Sequence, residues 1–207
     1  GAIGDPKYDD PTLSVRPEQG LLTMRKALGL FANIRPIKTY KGLDHLSVIK
    51  PQVLAGTDFV VFRELTGGIY FGDKVKGDGF ASDLCLYHTY EIERVSHLAF
   101  QMARTRKKKL TLVDKANVLE TSRLWRVTVA NIAKQYDDVA LDFLYIDNAA
   151  MQVILNPSRF DVVLCDNLFG DILSDEASVI TGSLGMLPSS SKGEKHSLYE
   201  PCHGSYP

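Results

Sequence analysis

Asp171 and Asp175 form the sharpest pattern in the sequence that could do chemistry. A helix beginning after Gly170 would place both carboxylates on one face, one turn apart, where they could share a cation. Hard oxygen ligands suit Mg²⁺ or Mn²⁺, which usually keep coordination positions for water or substrate. The alternative is a solvated helix N-terminus, where acidic residues are favoured in any case.

Asp147 directly follows the apolar segment 139–146. From the end of a strand, a third carboxylate could reach the same ion. Taken alone, Asp147 is equally well explained as a helix cap. Its value as a metal ligand therefore depends on its combination with the other two aspartates.

Three arginines lie in separate segments that otherwise look ordered and apolar: Arg25, Arg35 and Arg63. Arginine binds carboxylates in a planar, bidentate manner, so three converging side chains would hold a dicarboxylate firmly. As isolated residues, arginines of this kind are more commonly surface or ion-pair residues.

Glu18, Leu21, Leu22 and Arg25 follow the spacing i, i+3, i+4 and i+7 and share one face of a predicted helix. This face could recognise a substrate with an anionic end and a branched apolar end. The alternative is that the two leucines belong to the core.

Tyr70 and Lys115 each follow a predicted strand, and catalytic groups are common in the loops after strands. A lysine near a metal and other cations can have a lowered pKa and act as a base. Lysines are more commonly solvated charges. The basic run 104–109 is interpreted only in that way, as solvated charges at a helix C-terminus.

Short apolar segments alternate with helical stripes along the chain, which predicts an α/β fold with a mainly parallel or mixed sheet flanked by helices. Thr121 or Ser122 is the expected N-cap of the central helix, and 188–197 is predicted to be a loop. Strands are expected at 58–65, 69–71, 110–114, 139–146 and 161–165. Helical stripes are Leu21, Met24, Leu28 and Phe31; Ile92, Val95, Ala99 and Met102; and residues 124–133.

The chain has 207 residues, of which 44% are hydrophobic and 24% charged. This composition suffices to bury the core of one large or two small domains. The formal net charge is −1, so there is no overall basic field for nucleic acid or an anionic membrane surface. We therefore expect local binding of an anionic small molecule, with neither nucleic acid nor membrane as a partner.

The cysteines, Cys85, Cys165 and Cys202, are odd in number and widely spaced, which favours a reducing cytoplasm. The sequence contains no signal peptide pattern and no apolar run near the ~20 residues that a membrane helix needs. Gly1 opens the chain without an initiator methionine, and Pro207 closes it shortly after the segment EPCHG. We expect a piece of a longer protein, truncated at both ends.

Five motifs in one order along nearly the whole chain resemble the β-decarboxylating dehydrogenases, the family of isopropylmalate, isocitrate, homoisocitrate and tartrate dehydrogenases. The helix start RPEQGLLTMR is similar to the isopropylmalate type. The motifs are RELTGGIYFG, VDKANVL, NLFGDILSDEAS, GSLGMLPSSS and EPCHGS.

The resemblance implies a role for each candidate residue. The three arginines would bind the malate carboxylates, Tyr70 would be the proton donor, and Lys115 would be a catalytic base that acts across a homodimer. The implied metal ligands are Asp171, Asp175 and, from the neighbouring subunit, Asp147. Glu18, Leu21 and Leu22 match positions beside the isopropyl group and the nicotinamide, and Asn117 and Val118 match residues lining the site.

The implied activity is the oxidative decarboxylation of 3-isopropylmalate to 2-oxoisocaproate in leucine biosynthesis, with NAD and Mg²⁺ or Mn²⁺. The NAD site would include Glu18, Asn117, Glu200, His203, Gly204 and Ser205. The implied fold is a two-domain isocitrate/isopropylmalate dehydrogenase-like unit, not a Rossmann fold. Residues 1–34 and 182–207 would be remnants of the cofactor domain, and 35–181 the substrate, metal and dimerisation domain. The alternatives are a homoisocitrate or tartrate dehydrogenase, or a non-catalytic dimerisation module.

Overall fold

The computed structural model describes residues 5, 8, 17–40, 42–182 and 184–201 of the chain. The helices in this part are α1 (Pro17–Ala27), α2 (Pro51–Leu54), α3 (Thr89–Arg104), α4 (Glu120–Ala133), α5 (Ile146–Leu155) and α6 (Asn167–Thr181). The strands are β1 (Leu30–Lys38), β2 (Asp58–Glu64), β3 (Lys74–Gly77), β4 (Phe80–Asp83), β5 (Lys109–Asp114), β6 (Ala140–Tyr145), β7 (Val162–Cys165), β8 (Pro188–Gly193) and β9 (Ser197–Pro201).

Seven strands form one mixed sheet in the order β6-β5-β7-β2-β1-β8-β9, while β3 and β4 form a separate exposed hairpin. Strands β6, β5, β7 and β2 are parallel neighbours, whereas β1, β8 and β9 are added in antiparallel pairs. The carboxyl ends of the four parallel strands therefore meet at one edge of the sheet. The predicted mixed α/β class is confirmed.

The sheet has a hydrophobic core on each face because neighbouring residues of a strand point to opposite sides. On β2, Val60 and Phe62 belong to one core and Phe59 and Val61 to the other. The first core is closed by residues of α3 and α4, which include Ile92, Val95, Trp125 and Val129. The second is closed by residues of α5 and α6, which include Ala149, Val153, Leu173 and Ala177. The central strands read as continuous apolar runs because both of their faces are covered.

Four of the five predicted strands are confirmed within one or two residues, and the prediction at 69–71 is wrong. The chain there forms a 3-10 turn, Gly68–Tyr70, in which Gly68 has φ +73°. A Cβ on Gly68 would lie 2.5 Å from the Tyr87 hydroxyl, so the two glycines of this segment permit a turn against that ring.

The prediction of a loop at 188–197 is also wrong, because this segment contains β8 and the start of β9. Its serines suggested a loop, but Ser189 and Ser191 are buried, and β8 pairs with β1. Tertiary pairing decides the conformation of this polar segment.

Helix boundaries account for the remaining corrections. Helix α1 ends at Ala27, so Phe31 of the first stripe belongs to β1. Helix α4 is capped at Leu119 rather than at Thr121 or Ser122. Helix α6 begins at Asn167 rather than after Gly170, because the Asp166 side chain accepts a hydrogen bond from the Phe169 amide and caps the helix four residues earlier.

The predicted division into two domains stays a prediction. Strand β1 runs through the proposed boundary at residues 34 and 35, and β8 and β9 continue the same sheet. None of the helices in the described part of the chain combines the length and apolar composition needed to cross a membrane.

Candidate active site

Arg35 on β1 and Arg63 on β2 are buried and converge on the two aspartates of α6. Arg35 donates to Asp175 Oδ1 at 2.8 Å and lies 3.5 Å from Asp171 Oδ1, while Arg63 forms a short contact with the same Asp171 oxygen. Burial lowers the pKa of Arg63, Asp171 opposes this, and Arg35 and Arg25 lower it further. The three arginines therefore share one electrostatic environment.

Arg25, on α1, is the third arginine near the acidic pair, and its charge acts on Arg63. It is buried and forms an ion pair with Glu200 Oε1 at 2.8 Å. Glu200 lies on β9, so the structure connects the predicted substrate helix with the start of the predicted cofactor loop. His203, Gly204 and Ser205, the rest of that predicted loop, lie outside the described residues.

The Tyr70 hydroxyl donates a hydrogen bond to Asp171 Oδ2 at 2.9 Å. Burial, followed by the negative charge of Asp171, raises the pKa of Tyr70 to about 12. The phenol is therefore protonated at neutral pH, as a proton donor must be.

Asp171 and Asp175 contact one guanidinium, that of Arg35, so their carboxylates approach a common cationic position. Burial raises the pKa of Asp175, Arg35 opposes this, and the nearby Asp171 carboxylate raises it further. Asp171 lies in the second turn of α6 and is bound by side chains, which disfavours the interpretation as a solvated helix N-terminus. Within the described part of one chain, no three His, Cys, Asp or Glu side chains cluster as a metal site.

Lys115 and Asp147 form a second pair, with Lys115 Nζ 2.8 Å from Asp147 Oδ1. Lys115 follows β5 and Asp147 lies in the first turn of α5, directly after β6. Because β5 and β6 are parallel neighbours, their carboxyl ends are adjacent. The hydrogen bond from Lys115 lowers the pKa of Asp147. Asp147 thus contacts Lys115, while Tyr145 occupies the N-cap position of α5.

The remaining candidates lie on more exposed surfaces. On α1, Leu21 and Leu22 are half-buried and outside the two cores, and Glu18 is exposed. The interpretation of the leucines as core residues is therefore disfavoured. Asn117 and Val118 are exposed in the turn after Lys115.

The prediction that the basic run 104–109 is only solvated charge is wrong for Arg106, whereas Arg104, Lys107 and Lys108 are exposed as predicted. Arg106 donates to buried Asp161 at 2.8 Å and to Asp58 at 2.6 Å, and Arg104 donates to Asp138 at 2.7 Å. These ion pairs connect the end of α3 to the start of β2 and to the segments that precede β6 and β7. The pairing acids are distant in sequence, so spacing could not reveal them.

Two asparagines that were not predicted as site residues contact the arginines. Asn33 Oδ1 accepts from Arg35 Nε at 2.8 Å, and Asn167 Oδ1 accepts from Arg63 Nε at 2.9 Å. Asn33 lies within the largely apolar strand β1, and Asn167 begins α6 shortly after β7. A polar amide inside or next to an apolar segment was the available signal in the sequence.

Fold and site together define a mixed-sheet α/β protein in which buried arginines of two central strands face a pair of carboxylates on α6, on the face of the sheet that this helix covers. The sequence matches the isocitrate/isopropylmalate dehydrogenase family over residues 1–207. The chain belongs to this family.

Similar proteins agree with this assignment. The chain is 55% identical over 207 residues to a 3-isopropylmalate dehydrogenase of Bacteroides fragilis (strain YCH46), covering all of this chain and 59% of that protein. It is 57% identical over 209 residues to the 3-isopropylmalate dehydrogenase of Listeria monocytogenes serovar 1/2a (strain ATCC BAA-679 / EGD-e), again covering all of this chain and 59% of the relative. The chain thus spans about three fifths of the length of the curated relatives it matches.

Solved structures show the same fold. The isocitrate dehydrogenase of Methylococcus capsulatus superposes with a TM-score of 0.81 at 37% identity, over 88% of this chain and 54% of that one. The TT0538 protein of Thermus thermophilus gives a TM-score of 0.85 at 28% identity, over 94% of this chain and 39% of that one.

Proposed function

We propose that this chain is the substrate-binding part of an enzyme that oxidises and decarboxylates 3-isopropylmalate to 2-oxoisocaproate in leucine biosynthesis, with NAD as the cofactor. The observation that carries the proposal is the convergence of Arg35, Arg63 and Tyr70 on Asp171. This arrangement joins carboxylate-binding groups, an acidic pair and a proton donor. The identity to curated 3-isopropylmalate dehydrogenases supports the choice of substrate.

Substrate binding is assigned to the three arginines and to α1. Buried guanidinium groups bind carboxylates strongly because they donate in a planar, bidentate manner and are weakly hydrated. Leu21 and Leu22 lie on the helix that carries Arg25, so an apolar branch of a substrate bound there would meet them. Val118, exposed in the turn after Lys115, is proposed to complete the apolar lining.

Asp171 and Asp175 are proposed to hold Mg²⁺ or Mn²⁺, with Asp147 of the neighbouring subunit as the third ligand. The donor set fits, because the two carboxylates already approach one cation, Arg35, and supply hard oxygens. A metal bound there would act as a Lewis acid on the carbonyl that forms during oxidation.

Proton transfer is assigned to Tyr70 and Lys115. Tyr70, protonated and hydrogen-bonded to Asp171, would donate the proton after carbon dioxide is lost. Lys115 would remove the proton of the 2-hydroxyl, and its contact with Asp147 holds its amine at the edge where the parallel strands end. In the proposed dimer, this amine acts in the neighbouring subunit's site.

NAD is proposed to lie along Glu18, Asn117 and the segment from Glu200 through His203, Gly204 and Ser205. Glu200 pairs with Arg25, so this segment begins beside the substrate arginines. Bound there, the nicotinamide would accept the hydride. The cofactor domain is proposed to comprise residues 1–34 and 182–207, together with regions that the relatives have in addition.

The dimer is proposed to form through residues 35–181. Large apolar side chains are exposed on α5 and α6, including Met151, Leu155 and Ile172, and exposed apolar surface of this kind favours a protein partner. The two described cysteines, Cys85 and Cys165, are free, which is compatible with the proposed cytoplasmic location.

The test is the turnover of purified full-length protein with NAD and Mn²⁺. We expect 3-isopropylmalate to give a higher kcat/KM than malate, tartrate, isocitrate or homoisocitrate. Preference for tartrate or homoisocitrate would assign the protein to another substrate of the same family. Absence of turnover with all five substrates would contradict the proposed activity.

A further inference from the structure

The two arginines nearest the acidic pair are held in the same way. Arg35 donates through Nε to Asn33 Oδ1, and Arg63 donates through Nε to Asn167 Oδ1. At the other end of each guanidinium, a terminal nitrogen contacts a carboxylate of α6. Each arginine therefore lies between a buried amide oxygen and a carboxylate.

These two contacts fix the orientation of each guanidinium as well as the position of its charge. The guanidinium is planar, so acceptors at Nε and at a terminal nitrogen together set the orientation of the plane. The directions of the remaining N–H groups follow from that orientation. The backbone also encloses Arg63 closely, since a Cβ on Gly170 would lie 2.7 Å from Arg63 Cβ.

Both asparagines are themselves held by their amide nitrogens. Asn33 Nδ2 donates to Ser189 Oγ at 2.9 Å and to the Ser190 carbonyl at 3.2 Å, both on β8. Asn167 Nδ2 donates to the Gly67 carbonyl at 3.0 Å, in the segment that leads to Tyr70. An amide is required at both places, because one group must accept from arginine and the other must donate to the surrounding chain.

We propose that Asn33 and Asn167 are positioning residues, which orient Arg35 and Arg63 and thereby set the affinity for the dicarboxylate. The proposal rests on the proposed function, since it takes a dicarboxylate as the ligand. Asn33 couples this orientation to β8 and Asn167 couples it to the Tyr70 turn.

The experiment compares Asn33→Leu, Asn167→Leu, Asn33→Gln and Asn167→Gln in full-length protein. Leucine has a similar size but no acceptor, whereas glutamine keeps a neutral amide that can accept from the arginine Nε. Ser96→Ala is the matched control, because Ser96 is fully buried and hydrogen-bonded within α3, away from the arginines. Calorimetric titration with isopropylmalate and Mn²⁺ gives Kd, turnover gives KM and kcat, and thermal unfolding reports stability.

We expect each leucine variant to raise Kd and KM about tenfold, the loss typical of one hydrogen bond to a charged group. The glutamine variants should bind more tightly than the leucine variants, even where they unfold at lower temperature. The control should change the unfolding temperature and leave Kd and KM unchanged. Leucine variants with wild-type Kd, or glutamine variants as weak as the leucine variants, would overturn the proposal and leave a purely structural role.

The same titration separates this inference from the proposed function. Wild-type protein that binds isopropylmalate without turning it over would contradict the activity, while the Kd comparison still decides the role of the asparagines. Wild-type protein that binds no dicarboxylate would contradict both.

Discussion

Lys115 Nζ lies 2.8 Å from Asp147 Oδ1, although the two residues are 32 positions apart in the chain. The contact makes them one unit at the adjacent ends of β5 and β6. A site that receives one of them in the dimer therefore receives both. In the proposed dimer, Lys115 and Asp147 of one subunit act in the active site of the neighbouring subunit, whereas Tyr70 acts in the active site of its own subunit.

Sites shared in this way can be tested by mixing two defective proteins. Tyr70→Phe and Lys115→Ala should each lower turnover by about 10²–10⁴-fold, because each removes a group that transfers a proton. In a mixed dimer, one site combines the intact Tyr70 of one subunit with the intact Lys115 of the other. Refolding an equal mixture should restore roughly a quarter of wild-type activity, since half of the dimers are mixed and each has one intact site.

The control mixes Tyr70→Phe with Asp171→Asn, two defects that belong to the same half of the site. This mixture should stay inactive. Recovery in the control, or none in the first mixture, would contradict the shared site.

The α5–α6 surface should carry the dimer contact. Leu155 on α5 and Ile172 on α6 are exposed, and a charge in a buried apolar interface is costly. We expect Leu155→Asp or Ile172→Asp to produce monomers in sedimentation of the full-length protein. Val127→Asp on α4 is the control, because Val127 is also exposed but lies on another helix. If Val127→Asp produced monomers and the other two variants did not, the dimer interface would lie on α4 and not on α5 and α6.

Local pattern predicted the parts of the fold in which burial dominates. Strands β5 and β7 are buried on both faces, and their mainly apolar sequences show this directly. The polar strand β8 could not be predicted, because its buried serines are satisfied by Asn33, more than 150 residues away.

The candidate site likewise has residues that the sequence pattern predicted and contacts that only the fold brings about. The spacing of Asp171 and Asp175 placed them on one helix, and residue type suggested the converging arginines. The contact between Arg63 and Asn167 could not be predicted, because the pairing of β2 with β7 brings these residues together. Asn33 and Arg35, by contrast, lie two residues apart on β1, so strand alternation places them on one face.

Asp166 makes stability depend on pH. Burial raises the pKa of its carboxyl to about 7, so the folded chain retains a proton that the unfolded chain releases near pH 4. The free energy of unfolding therefore falls as pH rises between these values. Asp166→Asn keeps a helix cap without the charge and should flatten this slope and stabilise the protein at pH 8.

Urea denaturation from pH 4 to pH 8 measures this slope. Asp138→Asn is the control, because Asp138 is on the surface and Arg104 lowers the pKa of its carboxyl, so it titrates below this window. An unchanged slope in Asp166→Asn would assign the pH dependence to another buried acid, such as Glu64, whose pKa is also raised by burial.

Leu21 should determine the choice of substrate through the branched group. It is half-buried on α1, one turn before Arg25, so the helix presents an apolar side chain next to a carboxylate-binding one. In full-length protein, Leu21→Ala should cost isopropylmalate about 1–3 kcal/mol of transition-state binding, the usual contribution of apolar pocket contacts, while sparing plain malate. The measurement is kcat/KM for both substrates, with Met24→Ala, an exposed residue of the same helix, as the control. Equal losses on both substrates would mean that Leu21 only supports the packing of α1, and the preference for the branched substrate would then have to arise elsewhere in the site.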